Sequence, residues 1–176
     1  MKWQVIKSQR SHITLASFKL KRMHFDWQVK HYNDLSLNEF HDLIALRIAV
    51  FVIEQNCPYQ ELDGKDKKSY HLIGRNGNGA IVSTARIIPP GIAYPQVAIG
   101  RVVTADSARG LGLGHELMRQ CMVFITDEFG QVPVILSAQK HLENYYASHG
   151  FVSTGKEYLE DNIPHVEMIY TPKEVH

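Results

Sequence analysis

The sequence predicts a mixed α/β layer domain with a ligand-gripping loop at a strand-to-helix junction, and three observations carry that reading. Short runs rich in β-branched residues and helical apolar stripes follow one another in the order β, α, three β, α, β, α, β, β. A glycine-rich stretch, Arg109-Gly110-Leu111-Gly112-Leu113-Gly114, stands between an apolar run and a helical pattern. The 176 residues hold no internal repeat or low-complexity segment, which suits one domain.

Each element has a local reason. A first strand is predicted within His24 to Ser36, where the domain body is expected to begin near residue 23. Ser36-Leu37-Asn38-Glu39 has the spacing of a capping box, and Leu37, Phe40, Leu43, Ile44 and Ile48 continue it as a helical stripe ending between residues 50 and 55. Residues 56–68, with Pro58 and Asp63-Gly64, read as a loop. Residues 69–76 and 80–88 are β-rich and separated by Gly77-Asn78-Gly79, a hairpin signal. Residues 97–104 form the strand that feeds the glycine loop. In the helix that follows, Leu113, Leu117, Cys121 and Phe124 share a face, and Gly130 is its predicted stop. Residues 132–138 read as a buried strand, 139–148 as a short helix, and 151–170 as two strands around Asp161-Asn162.

Composition excludes several classes of function. With 44% apolar and 21% charged residues and no run of about 18 apolar residues, no membrane span is predicted. Six of the 19 Lys and Arg fall in residues 1–22 with no acid among them, so 13 face all 18 acids in the rest, a body of net −5. Residues 1–22 read as a basic extension to a domain at 23–176. An acidic body argues against a nucleic-acid surface and favours cationic substrates such as amines. Cys57 and Cys121 have no metal or disulfide spacing, which points to a reducing compartment, the cytoplasm.

The glycine loop wants an anion. Alternate residues without Cβ let the backbone curl and turn N–H groups to one point, and the helix that starts there adds its free N–H groups and dipole. A dinucleotide fingerprint would need a third glycine at residue 115, which is His115. A nucleotide P-loop would need Gly-Lys-Ser/Thr, but Gly114 is followed by His115 and Glu116. A plain tight connection is the remaining alternative.

The spacing Arg109-x-x-Gly112-x-Gly114, together with Tyr146-Ala147-Ser148-His149-Gly150-Phe151 downstream, resembles the GNAT superfamily of acyl-CoA-dependent N-acyltransferases. Residues 49–66 and 158–168 look like its ElaA-like branch. The resemblance implies a mixed, mostly antiparallel twisted sheet of six to seven strands, about four helices, and a splayed strand pair at the cofactor site. It implies acetyl-CoA as co-substrate and an amine of a small molecule or protein as acceptor; a monomer or homodimer is expected, and no metal, since the Asp-rich stretch lacks the calcium-loop pattern. Carried over by position, Val102, Val103 and Thr104 would pair with the pantetheine arm. Gly110, Leu111, Gly112, Leu113, Gly114 and His115 would give N–H groups to the pyrophosphate. Gln139 would bond the arm, and Arg109 would order the loop or meet a phosphate.

Tyr146 is the expected general acid, since the leaving thiol titrates near about 8.5 and tyrosine near about 10. Its alternative is core packing, a role that Tyr145 fills more readily from another face of the helix. The base is not singled out: Glu54 and His165 are candidates, and His71 is a weaker one. Glu54, Glu61, Asp63 and Asp66 form an acidic cluster that would attract an ammonium group or serve as an ordinary polar turn. Two other functions stay open. One is a non-catalytic acyl-CoA sensor, and the other an acyl-homoserine-lactone-type synthase, suggested by the run Arg47-x-x-x-Phe51-x-x-Glu54.

Overall fold

A computed structural model describes residues 25–173, so the basic extension at 1–22 lies outside the described residues. Seven strands form one sheet in the order β1-β2-β3-β4-β5-β7-β6. The strands are β1 (Asp26–His31), β2 (Tyr70–Arg75), β3 (Ile81–Ile88), β4 (Val97–Thr104), β5 (Val134–Gln139), β6 (Val152–Glu160) and β7 (Ile163–Tyr170). Every neighbouring pair is antiparallel except β4 and β5, which run parallel and are joined by a helical crossover. Three α-helices accompany them: α1 (Leu37–Arg47), α2 (Leu113–Phe129) and α3 (Glu143–Ala147).

Local chemistry sets the element ends. The capping box of α1 is formed in full: Glu39 N–H donates to Ser36 Oγ, and Glu39 Oε2 accepts from Ser36 N–H. The helical rod runs on past Arg47 as a π-helical segment, Ile48–Glu54, whose N–H groups at Gln55 and Cys57 reach five residues back to Val50 and Val52. Gly130 ends α2 with φ +80°, a conformation that other residues avoid. The predicted helix at 139–148 is shorter than its sequence suggests. Gln139 still belongs to β5, a tight turn takes Lys140–Leu142, and only Glu143–Ala147 is α-helical.

The core is asymmetric across the sheet. On one side Leu117, Met118, Cys121 and Ile125 of α2 pack on Leu72, Ala85, Ile87, Ile99 and Leu136, all buried. Side chains of opposite parity on the same strands, His71, Thr84 and Arg86, face the other way, toward α1 and residues 57–68. Arg47 there is 0% exposed and donates to Glu61 and to both oxygens of Asp66, at 2.7 and 3.5 Å. Arg86 grips Asp63 through two 2.8 Å bonds and lies 3.3 Å from Asp66. Arg101 bonds Glu61 at 3.1 Å and lies over the Tyr59 ring. Three arginines thus neutralise Glu61, Asp63 and Asp66, so these three members of the acidic cluster form an ion-pair network, neither a free ammonium trap nor an ordinary solvated turn, while Glu54 stands apart from them.

Candidate active site

A cleft of about 830 Å³ opens where β4 and β5 part. The parallel pairing runs from Val97 opposite Val134 only to Ile99 opposite Leu136, so the last five residues of β4 leave β5 unpaired. A bulge drives the separation. Thr84 faces Val103 while Arg86 faces Gly100, which leaves Arg101 and Val102 opposite one residue, with Arg101 at φ +53°. The same bulge drops Arg101 onto the ion-paired face.

Backbone alternation decides which of the three carried-over β4 positions is open. Ala105 N–H donates to Val82 of β3, so Val103, of the same parity, also turns its polar groups to β3, where Ser83 Oγ donates to its carbonyl at 3.1 Å. Val102 and Thr104 therefore present their N–H and C=O groups to the cleft. Val103 borders the cleft with its neighbours but is 4% exposed and anchored to β3.

The glycine loop is built as its residue types require, with one difference. Gly110 and Gly112 have φ of +73° and +77°, the left-handed region. Gly114 does not; its missing Cβ makes room for Tyr145, whose hydroxyl would lie 3.2 Å from that atom and donates to Gly114 O at 2.6 Å. The first backbone bond into α2 joins Glu116 N–H to the Gly112 carbonyl, so the N–H groups of Leu113, Gly114 and His115 lack helical acceptors. Leu111 and Leu113 pack their side chains against Val82 and Ala108, leaving only backbone for a ligand. His115 Nδ1 lies 2.9 Å from His149 Nε2 at the loop's outer rim.

Arg109 orders the loop. Its guanidinium donates to both oxygens of Glu54 at 2.8 Å, and its Nε to Thr104 O at 3.3 Å. Arg109 accordingly holds the Glu54 carboxyl below its ordinary pKa, which makes Glu54 a poor proton acceptor in this arrangement. Next to it, Gln55 Oε1 accepts from Gln139 Nε2 at 3.0 Å.

Tyr146 lines the cleft and also packs in the core, 7% exposed, with its ring against Tyr145 and Phe151. The packing role is thus seen directly, and the ring's place on the cleft wall is where a general acid would have to stand. Burial, helped by Tyr145 and Cys121, pushes its phenol well above the ordinary value. The close match to a thiol inferred from ordinary values does not hold. Tyr146 stays protonated at neutral pH and is better suited to donating a hydrogen bond than to giving its proton away.

His165 also lines the cleft, and its Nδ1–H donates to Ile163 O at 2.8 Å. A carbonyl only accepts, so Nδ1 carries a proton, and in the neutral ring the lone pair falls on Nε2. Its ring stacks on Tyr158, whose hydroxyl donates to Ser137 Oγ at 2.6 Å, and Ser137 donates on to Glu160 at 3.0 Å. This chain, with the Gln55 contact, had no motif to announce it. His71 is fully buried beside Asp66, and burial lowers it to about 4; it is a neutral structural residue rather than a base. Among the described residues, no group of three or more His, Cys, Asp or Glu is placed to hold a metal ion, and no helix is long and apolar enough to cross a membrane.

Known proteins are similar to this chain in sequence and fold. The family described as acetyltransferase (GNAT) domain matches residues 31–172. Protein ElaA of Escherichia coli is 41% identical over 145 residues, covering 81% of this chain and 94% of ElaA. The UPF0039 protein sll0451 of Synechocystis is 38% identical, over 84% of this chain and 96% of its own length. The crystal structure of an acyl-CoA N-acyltransferase from Pseudomonas aeruginosa superposes with a TM-score of 0.80 at 44% identity, covering 84% of this chain and all of that one.

Proposed function

Because the chain belongs to the GNAT acetyltransferase family, we propose that it transfers an acetyl group from acetyl-CoA directly to a primary amine. The observation that carries this is the parting of β4 from β5 beside the glycine loop. In this reading the pantetheine amides pair with the open backbone of Val102 and Thr104, and the pyrophosphate takes the N–H groups at residues 110–115. Gln139 meets the arm after giving up Gln55.

The amine attacks the thioester carbonyl, the nitrogen loses a proton, and the tetrahedral intermediate expels the thiolate. Tyr146 donates a hydrogen bond to that sulfur as its charge develops. His165, with Nε2 free, accepts the nitrogen's proton directly or through water. Glu160 and Asp161 line the cleft, and among the described residues neither has a cationic partner within 4 Å, which suits an ammonium acceptor. The free thiols of Cys57 and Cys121 suit a reducing compartment, the cytoplasm. Of the run that suggested the synthase alternative, Arg47 serves the buried ion pairs rather than the cleft.

Thermal shifts with acetyl-CoA, NAD and ATP side by side test the cofactor. Acetyl-CoA at about 100 times its Kd adds about 2.7 kcal/mol, and stabilisation by NAD or ATP alone defeats the proposal. Tyr146→Phe should lower turnover by about 10²-fold or more while acetyl-CoA binding holds, as read by thiol release with a panel of amines. Normal turnover in that variant removes Tyr146 from the mechanism, whereas acetyl-CoA binding by the wild type with no thiol release for any amine favours a non-catalytic sensor.

A further inference from the structure

Three polar groups at the proposed coenzyme cleft, on Arg109, Thr104 and Gln139, are occupied from within the chain, two of them by adjacent residues. Glu54 takes the Arg109 guanidinium with two 2.8 Å bonds, and Arg109 Nε in turn covers the Thr104 carbonyl. Gln55 takes the Gln139 amide at 3.0 Å. Glu54 and Gln55 end the π-helical segment, so the end of one rod spans both lips of the splay, the loop after β4 and the tip of β5. The Glu54 to Arg109 pair is the exposed one, at 45% and 40%, and Arg109 has few other claims on it, Asp106 lying at 3.5 Å. Such a pair is worth little in water, and a pyrophosphate carrying two negative charges is a stronger partner for a guanidinium than one carboxylate.

We propose that Glu54 is a stand-in for the coenzyme: Arg109 is handed from its carboxylate to the pyrophosphate when acyl-CoA binds, which releases Glu54 toward the acceptor only in the loaded enzyme. This rests on the cofactor reading above. Glu54 is then a positioning residue for the donor, and the exchange couples the two substrates. A free Glu54 carboxylate is also more basic than one gripped by Arg109, so its ability to draw in an ammonium group or take a proton arrives together with the acyl group.

Calorimetric titration of acetyl-CoA into the wild type, Glu54→Gln, Arg109→Ala and the double variant tests this. Circular dichroism of each would confirm the fold, and neither side chain is in the core. Glu54→Gln should bind about two- to five-fold more tightly, because it removes a competitor for Arg109. Arg109→Ala should bind more weakly, and adding Glu54→Gln to it should change nothing further. That last comparison separates competition from simple charge repulsion, which would tighten binding in both backgrounds. Unchanged or weaker binding in Glu54→Gln, or tightening that persists without Arg109, overturns the handover while leaving the cofactor reading intact. Absence of acetyl-CoA binding in the wild type defeats both.

Discussion

Between the sheet and α2, contact is made by Leu117, Met118, Cys121 and Ile125 against aliphatic strand residues, whereas the opposite face of the same strands meets α1 through Arg47, Glu61, Asp66 and Arg86. Both faces are largely buried, and they differ in what happens when one member is removed. An apolar interface loses contacts in proportion to the atoms deleted, because neighbours relax toward the gap. An ionic interface strands the partner of the deleted charge in a medium that cannot solvate it. The network already carries two unsatisfied atoms, His71 Nδ1 and Arg86 Nε, so it has little slack.

Urea denaturation of three variants would sharpen this contrast. Arg47→Ala should cost the most, about 3–5 kcal/mol, since Glu61 and Asp66 both lose their central cation. A loss no larger than that of a methyl deletion on the apolar face would show that water reaches the network freely. The second effect is one of pH. Burial lowers His71 from 6.5 to about 4, so the unfolded chain takes up its proton first as pH falls through that window. Stability is therefore complete above about 6.5 and declines toward 4 by about 3 kcal/mol, a slope that His71→Gln should flatten. Burial also pushes Asp66 up, but the bond and charge of Arg47, with Arg86, outweigh it and hold the carboxyl low, which extends the acid loss below that window. The smallest effect belongs to the apolar face: Ile87→Val, at a fully buried position, should cost about 0.5–1.5 kcal/mol with no pH dependence.

The same contrast explains what could be read before any coordinates. The α2 interface repeats at helical spacing, the Ser36 capping box is a local rule, and the hairpin at residues 77–79 is fixed by its own glycines. The glycine loop and the Tyr146 motif are each contiguous in sequence, so sequence alone located several of the residues lining one end of the cleft. The network draws on positions 47, 61, 63, 66, 71, 86 and 101, and each looks like a solvated charge in its own neighbourhood. Only the fold pairs them. Likewise nothing around Arg101 announced the bulge that opens β4, and Glu54 could be named as a candidate base but not as Arg109's partner.

The π-helical segment has one more consequence, which concerns direction. In an α-helix, seven residues make nearly two turns, so Arg47 and Glu54 would point the same way and Glu54 would aim at the buried acids. Closing each turn one residue later winds the rod more slowly and swings Glu54 and Gln55 round to the cleft while Arg47 stays inward. The segment acts as a phase shifter between two charges on one axis. Deleting a single residue from it would leave the rod helical and exchange the surroundings of everything beyond.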